Sequence, residues 1–222
     1  MPRILAIALS LAAMPLPAAA CSVAPGYRVP TNMELVAGAD LILLATVSES
    51  DRDPGGAVRL LPVAALKGAV PTEPIELPAG LATDTTLELS NPYELQEAHP
   101  QSLSGACYRY VFPRGSRMLF FLARHDGAWR QAGGPFSRWA EDVLTDDAPW
   151  LQLTRFYLEV QALPESERAA ALKARRAEWA ERTDDPVAQL LAADVGRQLA
   201  GPNPPLREEL PPAPPSTGHR GS

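Results

Sequence analysis

The chain has 222 residues, 46% of them hydrophobic, which is enough to bury one good core with an appendage or two small domains. Its 20 lysine and arginine residues stand against 26 aspartate and glutamate residues, giving a formal charge of −6. This balance argues against a nucleic-acid-binding protein, which would carry a strong basic bias. The 24 prolines predict many loops and sheet edges.

The first 20 residues have the pattern of a secretory signal peptide. Arg3 supplies the basic start, residues 4–16 are almost wholly apolar, and Ala18-Ala19-Ala20 is a small-residue cleavage site. Cleavage after Ala20 makes Cys21 the first residue of a secreted or periplasmic protein. The apolar run is too short to span a bilayer and no later run approaches ~20 residues, so we expect no transmembrane helix.

Cys21 has two alternative fates, and the sequence leaves both open. In the first, it forms a disulfide with Cys107, the other cysteine of the chain, because an unpaired thiol is uncommon in an oxidising compartment. In the second, Cys21 is acylated as in bacterial lipoproteins and anchors the protein to a membrane. Lipoprotein signals usually carry leucine three residues before the cysteine, where this chain has Ala18.

Residues 21–142 have the short apolar runs and turn signals of a small antiparallel barrel or sandwich. The runs are separated by turn signals such as Asp126-Gly127, and residues 79–105 are predicted to form a long loop with a short helix at 93–98. The predicted strands are Asp40–Ser48, Ala57–Lys67, Pro74–Pro78, Tyr108–Phe112, Arg117–Arg124 and Ala128–Gln131.

Residues 143–200 are predicted to be helical, which makes the fold α+β. Pro149, Pro164 and Pro186 each mark the start of a helix, since proline is well suited to the first turn. The second helix is the most polar, and we expect it to face solvent. Residues 201–222 are rich in proline and predict a disordered or polyproline tail.

The order of features in residues 21–129 resembles that of the netrin-like domain, the fold of tissue inhibitors of metalloproteinases. The mature chain begins Cys21-Ser22, and a strand of the form Ala39–Val47 follows about twenty residues later. A second strand ends in Leu66-Lys67-Gly68, and Cys107 precedes the glycine-led strand Gly115–Phe121. The resemblance implies a five-stranded antiparallel OB-type β-barrel.

The resemblance also implies an inhibitory mechanism. In that family the α-amine and carbonyl oxygen of a free N-terminal cysteine chelate the zinc of a metalloprotease, and the next side chain enters the specificity pocket. Cys21 and Ser22 hold those positions here. A nitrogen and an oxygen from one residue suit the open position of a catalytic zinc, and a disulfide would lower the ordering cost of binding.

The remaining residues with reactive side chains form no complete catalytic or metal motif. His99 lies near Glu97 and His125 beside Asp126, which are pairs that can transfer protons, although isolated histidines beside turns are usually just exposed. Alternating aromatic residues such as Tyr108, Tyr110 and Phe112 are more typical of a core than of a binding groove.

Three functional hypotheses follow. The first is a secreted or periplasmic, non-enzymatic protein-interaction module of the cell envelope, with no cofactor and no metal site. The second is a metalloprotease inhibitor acting through the Cys21 amine and carbonyl. The third is an enzyme built around His99 and His125. The partner would be an extracytoplasmic protein or a metalloprotease and not a nucleic acid.

Overall fold

The computed structural model describes residues 23–207. The predicted signal peptide, Cys21, Ser22 and residues 208–222 of the predicted tail lie outside the described residues. The α+β class is confirmed: an antiparallel sheet forms a nearly closed, barrel-like wall, and three helices follow it in the chain.

One helix precedes the sheet and three follow it. The helices are α1 (Asn32–Gly38), α2 (Pro149–Ala162), α3 (Glu165–Ala180) and α4 (Pro186–Leu199). The strands are β1 (Leu41–Glu49), β2 (Val58–Lys67), β3 (Ile75–Leu77), β4 (Gly80–Leu81), β5 (Val111–Phe112), β6 (Arg117–His125), β7 (Ala128–Gln131) and β8 (Ala140–Asp142). A short π-helical turn covers Ser102–Ala106.

The main sheet has the strand order β3-β2-β1-β6-β7, with every pairing antiparallel, and β8 also pairs with β6. The outer strands β3 and β7 approach each other, which nearly closes the barrel. The β6–β7 hairpin turns through Asp126 and Gly127, both at positive φ, as the tightest hairpin turns require.

Five of the six predicted strands are confirmed as β1, β2, β3, β6 and β7, with β3 at the sheet edge as its flanking prolines require. The sixth, Tyr108–Phe112, is mostly wrong, because only β5 is a strand and it pairs in parallel with β4 in a separate two-stranded sheet. The amides of Tyr110 and Val111 donate instead to Oε1 of Gln101, at 3.2 and 3.0 Å. A side chain thus takes the place of a neighbouring strand.

The helix predicted at 93–98 is also wrong, and this segment forms turns. Oε1 of Glu94 accepts hydrogen bonds from the amides of Gln96 and Glu97, and Oδ1 of Asn91 accepts one from the amide of Tyr93. Such local bonds from side chains to the backbone compete with helix formation.

The sequence interpretation missed α1 and β8. Helix α1 begins at a capping box in which the Thr31 hydroxyl and the Glu34 carboxylate each accept a backbone N–H from the other residue. It ends against Lys67, whose Nζ donates to the carbonyl oxygens of Val36 and Ala37 at 2.9 and 2.8 Å. The ammonium neutralises the negative end of the helix and attaches it to β2.

The sheet separates two hydrophobic cores. Alternate side chains of β1, including Leu41 and Leu43, point into the barrel, where Phe112, Phe120 and Trp139 pack edge to face. Ile42 and Leu44 point the other way, into a core shared with the helices. The three predicted C-terminal helices are confirmed, and α3 buries little more than Leu172 and Trp179, so its predicted solvent-facing position is confirmed as well.

Candidate functional site

A cavity of about 790 Å³ lies where the two ends of the described chain meet. Its lining comes from the N-terminal segment, the loop around residues 96–103, the β7–β8 connection, α4 and the segment after it. The lining residues are Val23, Val29, Gln96, Glu97, Ala98, Leu103, Phe136, Arg197, Asn203, Pro204, Leu206 and Arg207.

The N-terminal segment is held against this cavity by Tyr27. Its hydroxyl donates to the carbonyl oxygen of Pro135 at 2.6 Å, and burial raises the pKa of this phenol above its usual value. Gly134 lies beside the hydroxyl end of this side chain at positive φ, and a Cβ there would be 3.0 Å from the Tyr27 hydroxyl. Glycine is therefore needed both for the backbone conformation and for the close approach.

The C-terminal segment is held against the N-terminal one. The amide of Leu206 donates to the carbonyl oxygen of Tyr27 at 2.9 Å. The Asn203 side chain donates to the carbonyl oxygen of Val29 at 2.8 Å and accepts from Nη1 of Arg197 at 2.6 Å. These bonds give the cavity two fixed walls made from opposite ends of the described chain.

Phe136, at the cavity wall, and Cys107 share an unusual backbone arrangement. Both are non-glycine residues at positive φ, 60° and 68°, and the amide of Phe136 donates to the carbonyl oxygen of Cys107. Left-handed conformations of this kind are rare outside glycine and persist where the surrounding structure enforces them. Two of the three such residues within residues 23–207 therefore lie at or next to the cavity, and the third is Asp126 in the β6–β7 turn.

The predicted site residues Cys21 and Ser22 lie outside the described residues. Val23, two positions after Cys21, lines the same cavity as Phe136. One partner of the predicted Cys21–Cys107 bridge therefore lies outside the described residues, while the carbonyl oxygen of the other, Cys107, accepts the amide N–H of Phe136. The described part of the chain contains no free cysteine. The bridge itself stays a prediction.

His99 and His125 are not brought together. His125 lies at the exposed start of the β6–β7 turn, with Nδ1 3.0 Å from a carboxylate oxygen of Asp126. The expectation that both are exposed is wrong for His99, which is buried. Burial, and then the positive charges of Arg109 and Arg138, lower the pKa of His99 to about 3. A histidine that stays neutral at ordinary pH and is buried is poorly placed for proton transfer to a substrate.

Arg109 is the centre of a buried polar cluster that the sequence interpretation missed. Its Nη1 lies 2.8 Å from Oδ2 of Asp142, with both side chains almost wholly buried, and it also donates to the Ser90 hydroxyl at 3.0 Å. The cluster joins the 79–105 loop to β8. The alternation of side chains in Tyr108–Phe112 indicates that Arg109 lies on the opposite face from Tyr108 and Tyr110. It does not indicate which of the two faces is buried.

A second buried cluster joins the barrel to the helices. Arg138 forms a two-pronged ion pair with Glu141, with Nη2 2.6 Å from Oε2. On the helical side, Asp194 of α4 accepts from the Tyr157 hydroxyl at 2.6 Å and from the Asn32 amide at 2.7 Å. Buried charges are tolerated only when they are paired, and each of these groups has a partner. The pairs therefore connect parts of the fold and are not free to bind a ligand.

Residues 23–207 contain no group of three or more histidine, cysteine, aspartate or glutamate side chains arranged to hold a metal ion. Within the same range, no helix has the length and apolar character needed to cross a membrane. Comparisons with protein-family models, with curated proteins and with solved structures found no match to this chain.

Proposed function

We propose that this chain is an exported binding module whose cavity between the two chain ends receives a segment of a partner protein in the cell envelope. The observation that supports this proposal is the cavity itself. At about 790 Å³ it is within the usual size range of binding sites, and mainly apolar side chains line it.

The rim of the cavity supports a protein partner. Leu103 is 72% exposed and Leu206 is 50% exposed, so two large apolar side chains of the lining are left open to solvent. Glu97, Arg197 and Arg207 supply charges of both signs to the lining. An apolar centre with polar groups around it is the usual arrangement of a protein-binding surface.

Photo-crosslinking in the producing cells tests the proposal. A photoreactive amino acid at position 206 should form an adduct of defined mass with one envelope protein. The substitution Leu103→Glu, elsewhere in the same lining, should abolish that adduct because it places a charge in the apolar contact. Val63→Glu is the matched control, since Val63 is 54% exposed on β2, away from the cavity.

An adduct that survives Leu103→Glu, or the absence of any defined adduct at position 206, contradicts the proposal. The same cells test export. Fractionation should recover the protein outside the cytosol, with Cys21 as its first residue.

We propose further that the barrel is of the OB type, as the resemblance to the netrin-like domain implies. The strand order supports this. The first strand pairs with both β2 and β6, and the outer strands β3 and β7 come together at the seam, so the sheet runs as a five-stranded, partly open barrel.

Inhibition of a zinc metalloprotease is the second candidate function. Its support is that Val23, two residues after Cys21, lines the same cavity as Phe136, whose amide donates to the Cys107 carbonyl oxygen, so a bridge that fixes the new N-terminus would form beside this cavity. We expect mature protein starting at Cys21 to inhibit hydrolysis of a fluorogenic peptide by a zinc protease. One alanine added before Cys21 should abolish inhibition by displacing the amine, whereas one added at the C-terminus should not.

Acylation of Cys21 would block the amine and exclude inhibition by chelation, while leaving the binding-module proposal intact. Intact mass of the exported protein distinguishes these cases. An acylated protein is heavier by its fatty-acid chains, whereas a disulfide-bonded one is two hydrogens lighter and is alkylated only after reduction.

A further inference from the structure

A second cavity, of about 260 Å³, lies beside the first turn of α2. It shares no lining residue with the cavity between the chain ends. Its wall comes from the loop before Leu95, from β8 and the segment after it, and from the starts of α2 and α4. The lining residues are Leu89, Ser90, Pro92, Tyr93, Asp142, Leu144, Thr145, Asp147, Ala148, Pro149, Trp150 and Val187.

Two buried polar atoms of this lining have no hydrogen-bond partner among the described residues: Oδ1 of Asp142 and Nε1 of Trp150. The Asp142 side chain is 5% exposed and Trp150 is 2% exposed. The other oxygen of Asp142, Oδ2, is bound by Arg109 and by the amide of Ser90. A buried polar group without a partner is unfavourable, so a ligand that pairs with both is favoured.

The donor or acceptor character of the two atoms determines which hydrogen-bonding groups such a ligand must carry. Oδ1 of Asp142 accepts a hydrogen bond, and the indole N–H of Trp150 donates one. The charged residues of the lining are Asp142 and Asp147, and both are acidic. Arg109 already compensates Asp142, but Asp147 is exposed and enters no ion pair within residues 23–207. The excess negative charge favours a cationic donor.

The surface around the cavity is apolar. Leu89 and Tyr93 are each more than half exposed, and Leu144 is 75% exposed, although all three line the cavity. A cavity of 260 Å³ is smaller than most sites for complete small molecules. It fits one side chain of a longer ligand that also covers the apolar rim.

We infer that this cavity binds a polypeptide segment of a partner in which a lysine or arginine adjoins an apolar residue. The cationic group pairs with Oδ1 of Asp142 and with Asp147, a carbonyl oxygen of the segment accepts from Nε1 of Trp150, and the apolar side chain packs on Leu144 and Tyr93. This is a second binding site, separate from the cavity between the chain ends.

Peptide titration followed by NMR tests the inference with the intact exported protein. The probes are acetyl-Leu-Lys-Leu-amide and two matched peptides with glutamate or glutamine in place of lysine. The indole N–H signal of Trp150, assigned with Trp150→Phe, reports directly on the atom that the peptide carbonyl reaches. We expect a saturable shift of this signal, with affinity for the lysine peptide about tenfold higher than for the glutamate peptide.

Surface variants then locate the contacts without disturbing the buried ion pair. Leu144→Ser and Asp147→Asn should each weaken binding of the lysine peptide about threefold or more, whereas Val63→Ser should leave it unchanged. Asp147→Asn should also reduce the preference for lysine over glutamine, while Leu144→Ser should not.

Three outcomes overturn the inference. The first is no Trp150 shift at peptide concentrations of about 10 mM. The second is equal affinity for the lysine and glutamate peptides, or affinity that neither variant reduces. The third is a Trp150 signal that changes with protein concentration alone, because a second copy of the chain would then cover the cavity.

Discussion

The hydroxyl of Tyr157 donates a 2.6 Å hydrogen bond to Oδ1 of Asp194, and this bond joins α2 to α4 inside the core. Burial raises the pKa of Asp194, although the hydrogen bonds from Tyr157 and Asn32 oppose the shift. Burial and the adjacent carboxylate also raise the pKa of Tyr157. The carboxylate depends on its donors because it is removed from water.

We predict that Tyr157→Phe lowers the free energy of unfolding by about 1–3 kcal/mol, because it leaves a buried carboxylate oxygen without its donor. Urea denaturation measures the change. Tyr93→Phe is the matched control, since that side chain is exposed and should change stability by less than about 0.5 kcal/mol. Equal effects of the two substitutions would argue against a structural role for the Tyr157–Asp194 bond.

His99 should make stability depend on pH. Its folded-state pKa is about 3 against 6.5 for a free histidine, so between these values the unfolded chain binds a proton that the folded chain does not. Stability from this residue is therefore complete above pH 6.5 and is lost as the pH falls towards 3, by at most about 1.4 kcal/mol per pH unit. Denaturation of the wild type and of His99→Gln, from pH 7 to 4, measures the difference.

The sign of that difference is the critical observation. The stability of the wild type relative to His99→Gln should decrease as the pH falls below 6.5. A constant difference over this range would mean that His99 protonates equally in the folded and unfolded chains, contrary to its buried position beside Arg109 and Arg138.

Removing one member of the buried pair of Arg109 and Asp142 should lower the free energy of unfolding more than replacing both members. Arg109→Met alone should lower the free energy of unfolding by about 3–5 kcal/mol, because it leaves Asp142 buried without a counter-charge. Arg109→Met combined with Asp142→Leu should be less destabilising than Arg109→Met, since both charges are then removed. Urea denaturation of the three proteins measures this, and additive effects would contradict the pairing.

The Cys21–Cys107 bridge, if formed, closes a loop of more than 80 residues and should stabilise the folded chain by about 4–5 kcal/mol. Denaturation of the exported protein with and without reductant measures this contribution. Cys107→Ser should match the reduced protein. A stability that reductant does not change, together with a fatty-acylated mass, would favour the lipid-anchor alternative.

The elements that the sequence predicts are those whose cause is local. The hairpin between β6 and β7 follows from Asp126-Gly127, and the start of α2 from Pro149, because turn geometry and proline act over a few residues. Helix α1 also has a local signal, the Thr31 and Glu34 capping box, and could have been found from it.

The features that the sequence does not predict depend on distant partners. The short strand β8 is extended because it pairs with β6. The cavity between the chain ends joins Val23, Phe136 and Leu206, which no periodic pattern relates. The sequence did not indicate that His99 is buried, since it lies between Glu97 and Gln101 in a polar segment and the charged groups that act on it, Arg109, Arg138 and Asp142, come later in the chain.

The central strands β1 and β6 are buried on both faces, so the barrel depends on the helices for its stability. Ile42 and Leu44 of β1, together with Leu119 and Phe121 of β6, are buried only because α2 and its neighbours cover them. A fragment ending at Asp142 would present this row of side chains to water as one continuous apolar face, and such faces promote aggregation. The helices thus serve as the outer layer that keeps the barrel in solution, and the two parts should be lost together in a single cooperative transition.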